Sequence, residues 1–219
     1  MKISIIHPSR NRPEMAFEVA NKWTKNAQND LQYIISIDTT EPQLKKYQSL
    51  FSQFSLFSLD DDTELLVSDN QSAIEAVNVG AKKSKNDLLI VVSDDFDCFP
   101  GWDVWLIENL KGNEDYIVKT YDGIQEKLIT LPIMDRKYYN RFGYIYYPDY
   151  KHMFCDTEMT DVGHILNKVI NLNDPNHPFI HKHYTAGLMQ KDDINEKNDA
   201  TWNQGETLYY ARKEMNFGL

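Results

Sequence analysis

The sequence predicts an α/β protein built on a mostly parallel central sheet flanked by helices. Over the first hundred residues, short apolar runs alternate with segments of helical period, the pattern of strands joined by helical crossovers. Leu88-Leu89-Ile90-Val91-Val92 is apolar at every position, as expected of a strand covered on both faces. Each apolar run ends in polar residues, where such sheets present their ligand crevice. With 219 residues the chain has the length of one large domain, and no repeat, low-complexity tract or linker divides it. A single domain over 1–219 is expected, with residues 1–100 and 101–219 as its two halves.

Taken in order, Ile3–Ile6 reads as a strand, and Pro13 opens a helix because its fixed backbone suits the first turn. Met15, Ala16, Val19, Ala20 and Trp23 form one stripe of that helix. Tyr33–Ile37 is a second strand ending at Asp38, followed by a helix with Leu44, Tyr47, Leu50, Phe51 and Phe54 on its inner side. Glu64–Val67 is a weaker third strand, and Ala73, Ile74, Val77 and Ala81 face inward from the next helix. Beyond Asp97 the alternation loosens. Trp102–Leu110 is helical and closes at Gly112, while Tyr116–Tyr121 and Leu128–Met134 read as strands of a smaller, more mixed sheet. Helical spacing runs through Asp156–Leu172, Phe179–His183 reads as a short strand, and a last helix covers Thr207–Asn216.

Composition excludes several classes. Hydrophobic residues at 42% and charged residues at 26% are those of a globular chain, not a disordered or fibrous one. A net charge of −10 disfavours nucleic acid and anionic membranes as general partners. Cys98 and Cys155 make neither a disulfide framework nor a CxxC zinc site, so a reducing, cytoplasmic setting is expected. Ile3–Ile6 is too short for a signal peptide or anchor, and no later run reaches spanning length. Any membrane association is expected to be peripheral.

Four polar strand ends hold the candidate chemistry: Pro8-Ser9-Arg10-Asn11-Arg12, Asp38-Thr39-Thr40, Ser68-Asp69-Asn70 and Ser93-Asp94-Asp95-Phe96-Asp97. Turn formation alone accounts for the first three about as well as ligand binding does. The fourth puts three carboxylates into four positions after a buried strand. They repel one another unless a cation holds them, so a hard divalent ion, Mn2+ or Mg2+, is favoured over a solvated acidic turn. Asp95 and Asp97, one residue apart, project the same way in an extended segment. Arg10 and Arg12 are placed to approach an anion beside that ion, or serve only as surface charges.

His181 and His183 share one side of their short strand, and one of them is a candidate third ligand, though ordinary hydrogen bonding is the commoner role of histidine. Cys155-Asp156-Thr157-Glu158 opens a helix, where carboxylates cap free N–H groups or, at a pocket rim, act as a general base. Tyr138, Tyr139, Tyr144, Tyr146, Tyr147 and Tyr150 crowd the segment before it, for packing or for stacking on sugar or base rings.

The order of these features resembles a nucleotide-sugar glycosyltransferase of the GT-A fold, most similar to the large inverting family numbered two in its small single-domain form. The opening strand with Pro8-Ser9-Arg10-Asn11-Arg12-Pro13-Glu14 and the acidic triplet followed by Phe99-Pro100-Gly101-Trp102 carry the resemblance, which covers most of the chain. It implies a nucleotide-binding half over 1–100 and an acceptor-binding half, with the smaller mixed sheet, over 101–219. Pro8, Ser9, Arg10, Arg12, Asp38, Asn70 and Asp94 would bind a UDP- or GDP-sugar, and Asp95, Asp97 and His181 or His183 the metal. Asp156 would be the base, with Glu158 a rival because Asp-Thr-Glu departs from the family's acidic pair. The implied acceptor is a glycan or lipid-linked sugar, with a modified nucleic-acid base less favoured. Two rival readings are a haloacid-dehalogenase-like phosphatase using Asp95-Phe96-Asp97, and a nucleotide-sugar-binding module without transfer.

Overall fold

The computed structural model describes residues 1–57 and 62–219, and side chains outside 53–61. The expected inward position of Phe54 therefore lies outside the described residues. Among the described residues seven strands form one sheet: β1 (Ile3–Pro8), β2 (Leu31–Asp38), β3 (Asp62–Ser68), β4 (Leu88–Val91), β5 (Ile117–Thr120), β6 (Ile133–Asp135) and β7 (Val169–Leu172). Their spatial order is β3-β2-β1-β4-β6-β5-β7. β1 pairs in parallel with β2 and β4, β2 with β3, and β5 with β7, whereas β6 runs antiparallel to both β4 and β5. The mixed part foreseen for the second half is thus the continuation of the parallel sheet across β6.

Among the described residues eight α-helices accompany the sheet: α1 (Pro13–Asn26), α2 (Leu44–Phe57), α3 (Ala73–Lys83), α4 (Trp102–Leu110), α5 (Arg136–Phe142), α6 (Cys155–Ile165), α7 (Asp193–Asp199) and α8 (Trp202–Glu214). One core buries Ile3, Ile5, Tyr33 and Ile35 of the sheet against Trp23 of α1, Tyr47 of α2 and Trp102 of α4. The other sets Ile6, Leu89, Val91 and Met134 against Ile74 and Val77 of α3, Tyr138 of α5, Met159 of α6 and Tyr209 of α8. Burial on both faces explains why β4 reads as a continuous apolar run, while the polar Ser4, His7, Gln32 and Ser36 of β1 and β2 are buried with hydrogen-bond partners. α3 lies so close to β1 that a Cβ on Gly80 would stand 2.7 Å from Ile6 Cγ2.

Five expectations are corrected. In the segment 128–134 only Ile133 and Met134 belong to a strand, because 121–131 folds around Asp122, whose Oδ1 accepts from the N–H groups of Ile124 (2.8 Å) and Gln125 (2.7 Å). The tyrosine-rich stretch holds the unforeseen α5, started by Asp135 accepting from Tyr138 N and stopped at Gly143 with φ +74°. The helix expected over Asp156–Leu172 ends at Ile165. Asn167, at φ +54°, donates to His164 O (3.0 Å) and Lys168 N to Gly163 O (2.9 Å), a Schellman cap that turns the chain into β7. Phe179–His183 makes a single antiparallel bridge, Phe96 to His181, in place of a strand. The helix expected over Thr207–Asn216 is α8, which begins earlier, at Trp202, and ends at Glu214, and α7 ahead of it was not foreseen.

Candidate active site

β3, β2, β1 and β4 are parallel neighbours, so their carboxyl ends bring all four polar clusters to one edge of the sheet. Arg10 forms an ion pair with Asp38, whose Oδ1 also accepts from Thr40 N (2.8 Å) and Thr40 Oγ1 (2.5 Å). Burial pushes the Asp38 carboxyl up, but Arg10 and Thr40 outweigh it and hold it below the usual range. Ser9 Oγ bonds Tyr47 Oη at 2.6 Å, and Pro8 lines the cleft beyond. Asn70 is buried at the end of β3, with its amide donating to Ile37 O at 3.2 Å. Asp94 lies deeper, its Oδ1 2.9 Å from Nε2 of the fully buried His7, whose Nδ1 is 2.9 Å from Tyr33 Oη.

The acidic triplet divides. Asp95 faces a solvent-open cleft of about 920 Å³, where its Oδ2 is 3.3 Å from His181 Nε2. Burial raises the Asp95 carboxyl, but bonds from His181 and Ser93 bring it down to about 2. Asp97 is held by Lys22 and, at 3.0 Å, by Lys182. These lysines overcome its burial and lower its pKa. His183 follows with its ring centroid 5.0 Å from that of His181, and its Nδ1 2.8 Å from Thr185 Oγ1. Among the described residues no group of three His, Cys, Asp or Glu side chains stands close enough to hold a metal ion. Asp95 and His181 are two adjacent donors, and a Mg2+- or Mn2+-type ion that completes its shell with phosphate oxygens and water fits such a pair. Asp97, already neutralised by two ammonium groups, fits less well.

Across the same cleft stands Asp156, half-buried in the first turn of α6, its Oδ1 accepting from Thr157 N at 2.8 Å. Burial is the main influence on its carboxyl and raises the pKa. Glu158 is not brought to the cleft. It is 4% exposed and takes both oxygens to Arg212 Nε of α8 at 2.8 Å, with Tyr150 Oη at 2.9 Å, beside a separate cavity lined by Tyr138, Phe142 and Phe217.

Three contributors to the cleft were not foreseen. His152, in the loop before α6, lines it, and burial lowers its pKa to about 4. α7 covers the opening with Asn195 and Asn198, pinned where Asp192 takes Nε (2.8 Å) and Nη2 (2.6 Å) of Arg12. No local pattern announces these groups, since Arg12 and Asp192 are 180 residues apart.

No protein-family model and no curated protein matches the sequence. Among solved structures, the fold is that of the GT-A glycosyltransferases. S. aureus TarS 1-349 in complex with UDP-GlcNAc superposes with a TM-score of 0.65 at 13% identity, covering 84% of this chain and 59% of that one. The mannosyltransferase PcManGT from Pyrobaculum calidifontis, in complex with GDP-Man and Mn2+, gives 0.65 at 12% identity over 82% of this chain and 56% of its own. Glucosyl-3-phosphoglycerate synthase from Mycobacterium tuberculosis, with Mn2+, UDP-glucose and glycerol 3-phosphate, gives 0.58 at 11% identity over 89% and 74%. The chain therefore spans little more than half the length of the first two. Among the described residues no helix is long and apolar enough to cross a membrane.

Proposed function

We propose that this chain is a metal-dependent glycosyltransferase that moves a hexosyl or pentosyl group from a UDP- or GDP-sugar to an acceptor hydroxyl with inversion. The observation that carries the reading is the placement of Asp156 on the same cleft as Asp95 and His181. That puts a carboxylate of raised proton affinity opposite the site fitted for a diphosphate-bound cation. Base and ribose would lie along Asp38, Arg10 and Asn70 at the ends of β2 and β3, with Pro8, Ser9 and the fixed Asp94 forming the floor. Arg12 carries the guanidinium nearest the acidic triplet, 4.0 Å from Asp94 Oδ2, and would face the diphosphate.

Asp95 and His181 would hold the divalent ion, which supplies neutralisation of charge on the departing nucleoside diphosphate. Asp156 accepts the acceptor's hydroxyl proton at Oδ2, leaving Oδ1 fixed by the Thr157 N–H. Attack from the face of the sugar opposite the diphosphate inverts the anomeric centre. The acceptor, a glycan or lipid-linked sugar, would enter from the 101–219 half, and the charge of −10 gives a nucleic-acid acceptor no support. The phosphatase reading is not favoured, because the neighbours in fold are glycosyltransferases.

Thermal melts with UDP, GDP and CDP, each with and without Mn2+, test the donor site, since a ligand of the native state raises the midpoint. One nucleotide is expected to raise it only with the metal, and Asp95→Asn to abolish the shift. No shift with any nucleotide would overturn the reading. Donor binding without release of nucleoside diphosphate would favour the non-catalytic binding module.

A further inference from the structure

Most polar side chains at this edge of the sheet are already paired: Arg10 with Asp38, Arg12 with Asp192, His7 with Asp94 and Asp97 with two lysines. The cleft wall near Asp156 differs. Neither ring nitrogen of His152 has a protein hydrogen-bond partner among the described residues, and the side-chain amide of Asn198 has none. Asn195 spends its Oδ1 on Asp192 N (3.1 Å) and keeps its Nδ2 free. All three residues line the one cleft. A neutral imidazole offers one donor and one acceptor, and an amide offers both as well, so these groups present uncharged, two-way hydrogen bonding. His152 and Asn198 are half-buried, and their unpaired polar atoms are open to the cleft, where the hydroxyls of a bound ligand can reach them.

The segment is also rigidly built. A Cβ on Gly205 of α8 would stand 2.3 Å from Met153 O, so α8 packs backbone to backbone against the residue after His152. Met153 N donates to Thr201 Oγ1 at 3.2 Å, Phe154 takes φ +70°, and its ring meets that of Trp202 edge-on at 5.0 Å. Asp192 and Asn195 close a capping box on α7, and the bidentate Arg12 pair fixes that box to the end of β1. Such bracing sets His152 and the two asparagines in place before anything binds.

From this we infer that His152, Asn195 and Asn198 form a subsite that reads the hydroxyls of a sugar ring held beside Asp156, and so set which sugar the protein accepts. The inference rests on the glycosyltransferase reading. Vicinal hydroxyls donate and accept at once, which matches three neutral groups of mixed polarity better than the acidic or basic clusters elsewhere on this edge. The burial that keeps the His152 imidazole uncharged at neutral pH preserves its acceptor nitrogen. The ring belongs either to the transferred sugar or to a sugar acceptor, and the two sources are separable.

The test is calorimetric titration of wild type, His152→Ala, His152→Gln and Asn198→Ala in Mn2+. UDP, GDP, UDP-glucose, UDP-galactose, UDP-GlcNAc and GDP-mannose are titrated first, then methyl glycosides onto the protein with and without nucleoside diphosphate. The alanine variants should bind the free nucleoside diphosphate within twofold of wild type. A transferred sugar at the subsite is shown by a loss of fivefold or more in preference for the nucleotide-sugar over its diphosphate. An acceptor sugar is shown by the same loss for a methyl glycoside. His152→Gln, which keeps a donor and an acceptor, should recover most of either loss. Asn198→Ala, on a side chain with no internal partner, guards against misfolding at His152. Unchanged sugar binding in both arms overturns the subsite even where nucleotide binds normally. A wild type that binds no nucleotide removes the glycosyltransferase reading, and the methyl-glycoside arm then judges the subsite alone, with no glycoside binding overturning it.

Discussion

Asp156 and Glu158 stand two residues apart at the start of α6, and about 100° per residue sends their side chains to nearly opposite sides of the helix. One faces the cleft and the other is wedged against α8. The pair of variants Asp156→Asn and Glu158→Gln should therefore separate chemistry from stability. Removing a positioned base costs about 10²–10⁴ in kcat, or roughly 3–5 kcal/mol of barrier at 1.36 kcal/mol per decade. Folding should not suffer. The Asp156 carboxyl has its pKa raised by burial, so its favourable contribution is complete only below the unfolded value and is lost as pH rises through the folded one. The amide carries no charge and so escapes the desolvation cost that raises the carboxyl, and Asp156→Asn should melt at the same temperature as wild type or higher.

Glu158→Gln should do the reverse. Arg212 is buried, donates to both oxygens of Glu158 at 2.8 Å and to Phe217 O at 2.8 Å, and lies over Tyr147 with its guanidinium carbon 3.3 Å from the ring centroid. Breaking a buried pair by removing one partner costs about 3–5 kcal/mol. Glutamine still accepts one N–H, so the loss should fall near the lower figure, about 3 kcal/mol. For a chain of this length that is roughly 6–12 °C in the melting midpoint. The assays are a thermal melt and release of nucleoside diphosphate from the donor, normalised to folded protein below both midpoints. An unmoved midpoint with activity lost in Glu158→Gln, or normal turnover in Asp156→Asn, would refute the assignment.

Other consequences are equally checkable. Asp95→Asn should abolish the Mn2+-dependent nucleotide shift while Asp97→Asn keeps it within about threefold, because Asp97 is committed to Lys22 and Lys182; titrating Mn2+ against nucleotide-bound variants decides it. His152 has its folded pKa depressed from 6.5 to about 4, so its contribution is present above the unfolded value and lost as pH falls through that window. Urea unfolding at pH 7.5 and 4.5 should show wild type losing about 2–3 kcal/mol more than His152→Gln, at 1.36 kcal/mol per unit. Equal losses would mean that the imidazole is not held neutral by burial. Gly205→Ala should cost about 2–3 kcal/mol by forcing α8 off Met153 O, read as a lowered urea midpoint with the slope retained.

The first half of the fold was legible because its information is local. β4 is apolar throughout, β1 and β2 are rich in isoleucine, Pro13 marks a helix start, and polar residues follow each of the first four strands. The second half misled where one period imitated another. Val169 and Ile170 continue the helical spacing of α6, yet Asn167 and Lys168 cap that helix and send the chain into β7 beside β5. A left-handed asparagine before an apolar alternation was the available signal.

Within the site, the resemblance put Asp156 first as base and kept Glu158 as a rival, and spacing alone could not separate them, because facing depends on where α6 begins and on what α8 brings behind it. A helix start shifted by one residue turns every side chain about 100°. The acidic triplet posed the same problem: one residue of separation suggested a shared direction for Asp95 and Asp97, whereas the bridge from Phe96 to His181 sets Asp95 towards the histidine and leaves Asp97 between two lysines. His152, Asn195 and Asn198 carried no pattern at all. They meet only because Arg12 grips Asp192 and Gly205 admits the backbone of Met153, contacts of long sequence separation that neither composition nor periodicity encodes. Spacing can nominate chemical groups at strand ends, and the packing of distant segments decides which of them share one cleft.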